Sequence, residues 1–428
     1  MPNATAVNTA APPTPMPPRT ALLMLVALTS GFALSSAFRT VAAMVAAPLQ
    51  ADFALSPQAL GVFAATFHFA FGAMQLFMGI GIDLYGVRRS ILTAFPLCIA
   101  GALLSALAPG YGALLLGQAL IGVGCAPAFL VCTVFIARHF APQRFATMSG
   151  VAMALGTLGM LFTGTPLAWV VQQWSWRAGF WVLALLALLA WLWMWRAVHE
   201  PVQPAQPGAP DAPRESVREA VLRFGALFLL PHTWGIVALG AVSYAALISL
   251  RGLWLGPMLI ARHGFTLVQS GNVALALSLA ALAGPLLFGR LDPGTATRRR
   301  WIMACTLLMA LLFAAMALLH SAWLDVACML AIGLLSGYLI LQYADVRAAY
   351  PAAITGRAMA VFTMAMFLGV AAMQWLTGLV ASLAKAQSAT DPFMAVMASI
   401  AALLALAALA FRLLPQPPRD LGMHPGRP

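Results

Sequence analysis

Long apolar blocks fill this chain, and the short gaps between them hold almost all of the charge. An α-helix needs about 20 mostly apolar residues to cross roughly 30 Å of hydrocarbon. On that rule the first half of the chain predicts spans at 21–48, 57–82, 90–108, 113–137, 147–171 and 179–197. The second half predicts spans at 233–259, 268–289, 301–320, 324–344, 358–384 and 392–413. Between the two sets lies a polar segment, 199–230. It opens with the Pro-rich run EPVQPAQPGAPDAP, which reads as a linker. Its second part, RESVREAVLRF, has the pattern of a short amphipathic helix lying on a membrane surface. The expected organisation is therefore an all-α membrane protein of twelve helices in two six-helix bundles, 19–198 and 231–414. These are joined by the cytoplasmic linker 199–230 and flanked by a disordered tail, 1–18, and a C-terminal tail, 415–428. The first apolar block is too long for a signal peptide and carries no clean cleavage site, so it reads as the first span.

Composition agrees. Only 8% of residues are charged, against roughly 25% in soluble domains, and the mean hydropathy is +0.91. The net charge of +12 does not point to nucleic acid, because the basic residues cluster at the ends of apolar runs, as membrane topology requires. With the N-terminus in the cytoplasm, Arg177, Arg262 and Lys385 fall in periplasmic loops and Arg39 and Arg251 inside spans. The rest of the 23 basic residues lie on the cytoplasmic side. That asymmetry requires an even number of crossings with both termini inside, in a bacterial-type inner membrane. The five cysteines lie in apolar stretches without ligand spacing, so neither a metal nor a disulfide framework is expected. No P-loop, GxSxG or HExxH is present. Neither an enzyme nor ATP-driven transport by this chain alone is expected, and no cofactor.

The two halves repeat one another. ALSSAFRTVAAMVAAPL surrounds Arg39, and AALISLRGLWLGPML surrounds Arg251 half a chain later. Each half also carries a Gly- and Arg-bearing loop after its second span: GIGIDLYGVRR (79–89) and GRLDPGTATRRR (289–300). The first resembles the GxxxDxxGxRR loop between helices 2 and 3 of the major facilitator superfamily, matched by Gly79, Asp83, Gly86, Arg88 and Arg89. SWRAGF (175–180) is similar to the WR-x-x-F start of that superfamily's helix 6. The resemblance covers essentially the whole chain and implies two pseudo-symmetric bundles around a midplane site. It also implies that the 79–89 loop is a latch holding one state of an alternating-access cycle. Two departures argue against a proton-driven drug exporter. Gln118 stands where the superfamily's helix-4 pattern has arginine, and GTLGMLFTGTPLAW lacks the GPxxGG ending of the helix-5 antiporter pattern.

The intramembrane charges bear on the substrate. An arginine at mid-membrane costs about 2.5–3.5 kcal/mol on insertion scales, so a pair demands compensation. Each of the eleven acids lies in a loop, a tail or at a span end. Arg39 and Arg251 therefore read as clamps for an anion in a water-filled cavity, since a guanidinium grips carboxylate or phosphate with a two-pronged fork. The pair resembles the organophosphate/phosphate antiporter family, in which one arginine from each half binds phosphate; carboxylates remain equally open. His68, in ATFHFAFG, is placed to carry a proton or contact substrate. Gln118, Tyr244, Tyr338, Gln342 and Gln374 lie at depths suited to orienting a ligand. The expected function is secondary transport of a small organic or inorganic anion by a monomer in contact with membrane lipid, with a coupling proton or counter-anion and no nucleic-acid partner. The alternatives are an exporter of drugs or natural products and a non-transporting membrane sensor.

Overall fold

A computed structural model describes residues 17–141, 144–199, 225–387 and 391–415. Among these the chain is helical, with no strand. The first half comprises α1 (Pro18–Thr40), α2 (Ala42–Phe53), α3 (Pro57–Ala106), α4 (Tyr111–Cys125), α5 (Ala128–His139), α6 (Phe145–Phe162), α7 (Thr165–Gln173) and α8 (Trp176–Ala197). The second comprises α9 (Pro231–Ser249), α10 (Leu255–His263), α11 (Leu267–Arg290), α12 (Thr295–Leu318), α13 (Ala322–Leu335), α14 (Leu339–Ala349), α15 (Ala352–Ala386) and α16 (Pro392–Leu413). Among the described residues eleven helices are long and apolar enough to cross a membrane, against the twelve expected. The expected span 57–82 is helical, but it forms the first limb of the 50-residue α3. The expected surface helix in the linker lies outside the described residues.

Helix starts follow local chemistry. Ser56, Ser175 and Asp391 each accept a hydrogen bond from a first-turn backbone N–H, and Thr266 forms a reciprocal capping box with Gln269. The repeated Gly/Arg loops owe their turns to glycine. Gly86 (φ 81°, ψ 169°) breaks α3 into two limbs, and Gly294 (φ 77°, ψ 170°) starts α12. Both angles lie where a Cβ is strained.

Several long apolar segments are interrupted near their middles rather than at their ends. α1 passes to α2 at Val41, α4 to α5 at Ala126–Pro127, and α6 to α7 at Thr163–Gly164. A π-helical stretch, Leu250–Trp254, joins α9 to α10, and a 3-10 turn, Ser336–Tyr338, joins α13 to α14. Inside a bilayer such interruptions persist only where protein or a cavity satisfies the freed backbone groups. Three of them, at Val41, Thr163–Gly164 and Leu250–Trp254, adjoin or bond the two arginines.

Elements of the two halves meet along one end. The Gln58 amide donates to Ser382 (2.8 Å), Thr165 to Asn272 (2.7 Å), and the Val268 amide to Gln172 (3.2 Å). Close backbone approach carries α1 and α2 against the π-turn: a Cβ on Gly252 would stand 3.0 Å from the Arg39 carbonyl oxygen. This packing covers the ends of α2, α3 and α7 with those of α10, α11 and α15.

Candidate functional site

Arg39 sits in the last turn of α1, immediately before the Val41 break. Its Nη1 donates to the Tyr244 hydroxyl of α9 and its Nη2 to Ser35, both at 3.3 Å; Nε is buried with no partner. The guanidinium carbon lies 5.1 Å from the Phe71 ring centre and 4.9 Å from that of Phe367. Phe71 and Phe367 themselves pack at 4.4 Å, and Tyr244 stands edge-on to Phe367. Arg39 thus lies against an aromatic cage contributed by α3, α9 and α15. Cation–π contacts are worth about 0.5–2 kcal/mol each, and two bonds as long as 3.3 Å are at the weak edge of useful geometry. Removing an ion from water costs several kcal/mol even after relaxation. No carboxylate among the described residues forms an ion pair with it, so its compensation is incomplete.

Arg251 is better held. It lies on the π-turn, with 1% of its surface exposed. Nε donates to Ser278 of α11 at 2.9 Å. Nη2 donates to the Met160 carbonyl at 2.8 Å and to Thr163 at 3.3 Å, both at the end of the α6 segment; Nη1 is buried without a partner. Thr163 in turn shares a 2.6 Å hydroxyl–hydroxyl bond with Thr40, the residue after Arg39. One polar chain therefore runs from Ser278 through Arg251 and Thr163 to Thr40, tying the broken ends of α1 and α6 to the π-turn. The expectation of two arginines standing in an open, water-filled cavity is corrected. Both are enclosed by protein, Arg39 with only 7% exposure, because the helix ends around them pack together.

The other candidates divide into two groups. His68, on the first limb of α3, is buried. Its Nδ1 lies 3.1 Å from the Ala64 carbonyl, its Nε2 has no partner, and Arg39 and Gln374 are its polar neighbours. Gln374, on α15, is buried with both amide atoms unpartnered, and the buried Gln118 of α4 has an unpartnered Nε2. Arg39, Tyr244, His68 and Gln374 are thus brought together. Tyr338 and Gln342 lie in a separate polar cluster. The Tyr338 hydroxyl is 3.0 Å from Thr306 of α12, and Gln342 donates to Ser243 at 3.0 Å, leaving its Oε1 unpartnered. Trp254 is buried and donates to Thr377 at 2.9 Å.

At the 79–89 loop, Arg88 donates from Nε to the Val198 carbonyl (2.6 Å) and from Nη2 to that of Trp195 (3.2 Å), fastening the end of α8. Gly79 faces Leu130 and Arg89 is exposed. The Asp83 side chain lies outside the described residues. In the repeated loop, Asp292 accepts from Arg298 (2.7 and 3.0 Å) and from the Gly294 amide (3.1 Å). The Arg298 guanidinium holds the Asp292 carboxyl below its ordinary pKa.

Sequence reasoning missed a third buried arginine. Arg262, in the last turn of α10, donates to Asp325 (2.9 Å) and to the Met316 carbonyl (2.8 Å). Its Nη2 lies 2.7 Å from Asp391 as an ion pair without hydrogen-bond alignment. His263 meets the same Asp325 oxygen at 2.7 Å, and His320 lies 3.1 Å from Asp391. The only sequence signal was weak: Asp325 is a lone acid at the head of the apolar run AWLDVACML, but it lies 63 positions from Arg262 with two helices between.

Comparisons with known proteins agree with this fold. The family model described as Major Facilitator Superfamily matches residues 24–344. The "Hexuronate transporter" of Bacillus subtilis (strain 168) is 28% identical over 181 residues, which are 41% of this chain and 39% of that one, so the aligned part is well under half of that relative. Among solved structures, a bacterial homolog of the human lysosomal transporter Spinster, inward-facing and unoccupied, superposes with a TM-score of 0.73 at 18% identity. The match covers 93% of this chain and 97% of the other. A D-xylose-proton symporter gives 0.70 at 16% identity, covering 92% and 98%. The family match over most of the chain, together with broken apolar helices gathered around a buried polar centre, makes this protein a member of the Major Facilitator Superfamily.

Proposed function

We propose that the protein is a secondary transporter of a small organic anion, working by alternating access as a monomer in the bacterial inner membrane. In this reading twelve crossings form two bundles, 19–198 and 231–414, about the linker 199–230, with both termini cytoplasmic. The substrate lies between the halves. Arg39 grips its carboxylate, and Tyr244, His68, Gln118 and Gln374 contact the rest of it. The observation that carries this reading is the Arg39 guanidinium: buried, caged by rings, with an unpartnered N–H and no acid at ion-pair distance among the described residues. A bound carboxylate would supply two short charge-assisted bonds at the point where compensation is lacking. Likeness to a hexuronate transporter, whose named substrate bears a carboxylate, supports the same class.

The bonds Gln58–Ser382, Thr165–Asn272 and Val268–Gln172 between the halves support a state closed at the end where they lie. Arg251 then holds the closed end through Met160 and Thr163 and reaches substrate with Nη1. Tyr338 and Gln342 shape the wall of the second bundle. Gly79, Asp83, Gly86, Arg88 and Arg89 act as the latch, with Arg88 anchoring it to the end of α8.

The test is counterflow in proteoliposomes loaded with glucuronate, lactate or glucose. Exchange of the carboxylates with at least a tenfold preference over glucose is expected. Exchange of glucose alone would leave a sugar carrier with no preference for negative charge.

A further inference from the structure

We propose that His68 is the proton-carrying group of the transport cycle, and that its proximity to Arg39 makes proton and anion travel together. The inference rests on the anion reading above and adds the coupling ion, its site and the reason for coupling.

Three observations lead to it. First, the Ala64 carbonyl can only accept, so His68 Nδ1, 3.1 Å away, carries a hydrogen. Nε2 is then the free lone pair, and it is buried with no partner. Second, the neighbouring Gln374, on α15, is buried and neither of its amide atoms makes a well-aligned hydrogen bond. A side-chain amide can offer N–H to a neutral imidazole or, turned over, its oxygen to an imidazolium. His68 therefore faces a partner able to serve both of its charge states. Third, the Arg39 guanidinium packs 5.1 Å from the ring of Phe71, about one helical turn from His68, and so places a fixed positive charge near the imidazole.

Apart from Arg39 and the Tyr244 hydroxyl that it bonds, the remaining ionisable groups on the packed elements lie elsewhere. On α3 itself, Asp83, Tyr85, Arg88 and Arg89 belong to the 79–89 loop and Cys98 lies on the second limb. Asp52 on α2, Tyr111 on α4, Arg138 and His139 on α5, Arg177 and Arg196 on α8, and Arg357 and Lys385 on α15 stand toward the ends of their helices. Arg251 is engaged by Ser278, Met160 and Thr163. The Cys125 thiol points to Cys98, and the Cys132 thiol to the Ala128 carbonyl. Among the described residues, His68 is thus the buried group in the central region whose ordinary pKa lies closest to neutrality.

Coupling then follows from charge. An imidazolium beside a guanidinium is disfavoured unless an anion lies between them. Binding of the anion favours protonation of Nε2, and protonation favours the anion, by the same factor in each direction. Loss of the proton loosens the anion. A monoanion and a proton would cross together without net charge, and reorientation of Gln374 would report the protonation state from α3 to α15.

The experiment measures steady-state accumulation of radiolabelled glucuronate in proteoliposomes under an imposed pH gradient, interior alkaline. This ratio is set by coupling and not by how fast the carrier turns over. Wild type should approach about tenfold accumulation per pH unit, as one proton per monoanion requires. His68→Gln should equilibrate at a ratio near one, whatever its rate. Accumulation by His68→Gln equal to wild type, or a wild-type ratio of one while counterflow proceeds, overturns the proposal. If His68→Gln does not fold, proton uptake on glucuronate binding to wild-type protein in weakly buffered detergent decides, since no uptake also overturns it. Absence of carboxylate counterflow in wild type would remove the anion reading and this inference with it.

Discussion

Arg39 and Arg262 are both buried arginines among apolar helices, yet the chain treats them in opposite ways. Around Arg262 it supplies Asp325, Asp391 and the Met316 carbonyl. Around Arg39 it supplies two hydroxyls at 3.3 Å and a set of aromatic rings. Where a guanidinium only has to brace helices, acids can be built in at the helix ends. Where it has to take up and release an anion, a built-in acid would compete for the same fork. The difference is the one the proposed function requires, with Arg39 as the anion's partner and Arg262 as a brace. Arg251 lies between them: no acid among the described residues pairs with it, but three neutral acceptors fasten it across the helix breaks.

Mutation can break or sharpen this contrast. The largest effect is expected for Arg39→Ala, which removes the carboxylate's partner. Losing one side of a desolvated charged pair costs about 2–5 kcal/mol, so glucuronate uptake should fall more than about a hundredfold while the melting temperature changes little. A large drop in melting temperature with uptake preserved would reverse the assignment. Asp325→Asn should show the opposite profile. It leaves Arg262 and His263 with a weaker acceptor and should cost about 3 kcal/mol of stability, read as thermal unfolding in detergent, with glucuronate affinity in the surviving protein near wild type.

A smaller change is expected for Ser278→Ala, which removes one bond to Arg251 but leaves Met160 and Thr163. About 1–2 kcal/mol is expected. Cysteine-accessibility labelling should show the covered end opening more often. Unchanged accessibility would argue that Arg251 packs without bracing.

The smallest effect concerns Asp292. Its folded-state pKa is depressed, first by the hydrogen bond from Arg298. Its contribution is therefore present above the unfolded-state value and lost as pH falls through the depressed folded one. Because the Asp292 side chain is partly exposed to water, the contribution should stay below about 1 kcal/mol. Asp292→Asn should lower the melting temperature slightly at neutral pH and converge on wild type in acid, so that the acid limb of the curve flattens.

Much of this was legible in the one-dimensional pattern. The helices around Arg39, Arg251 and His68 follow from hydropathy, and the exceptional status of the two arginines follows from the scarcity of acids at their depth. The loops at Gly86 and Gly294 follow from glycine beside arginine. The enclosure of the arginines was not legible, because it depends on which ends of the helices are packed together. Neither was the π-turn carrying Arg251, since no residue in LRGLW dictates an extra residue per turn. The acids of Arg262 were missed because Asp325, 63 positions away, becomes a neighbour only when α10 and α13 meet.

By itself, then, the sequence determined that helices must span a bilayer, roughly where each begins and ends, and that two cations would lie deep within it. Local hydrophobicity and turn chemistry suffice for that, because in lipid the backbone must satisfy its own hydrogen bonds. Only the tertiary structure decided which arginine is paired with acids, which is braced by neutral acceptors and which keeps an unpartnered N–H among aromatic rings. Those outcomes depend on contacts a few ångströms long between residues dozens to hundreds of positions apart.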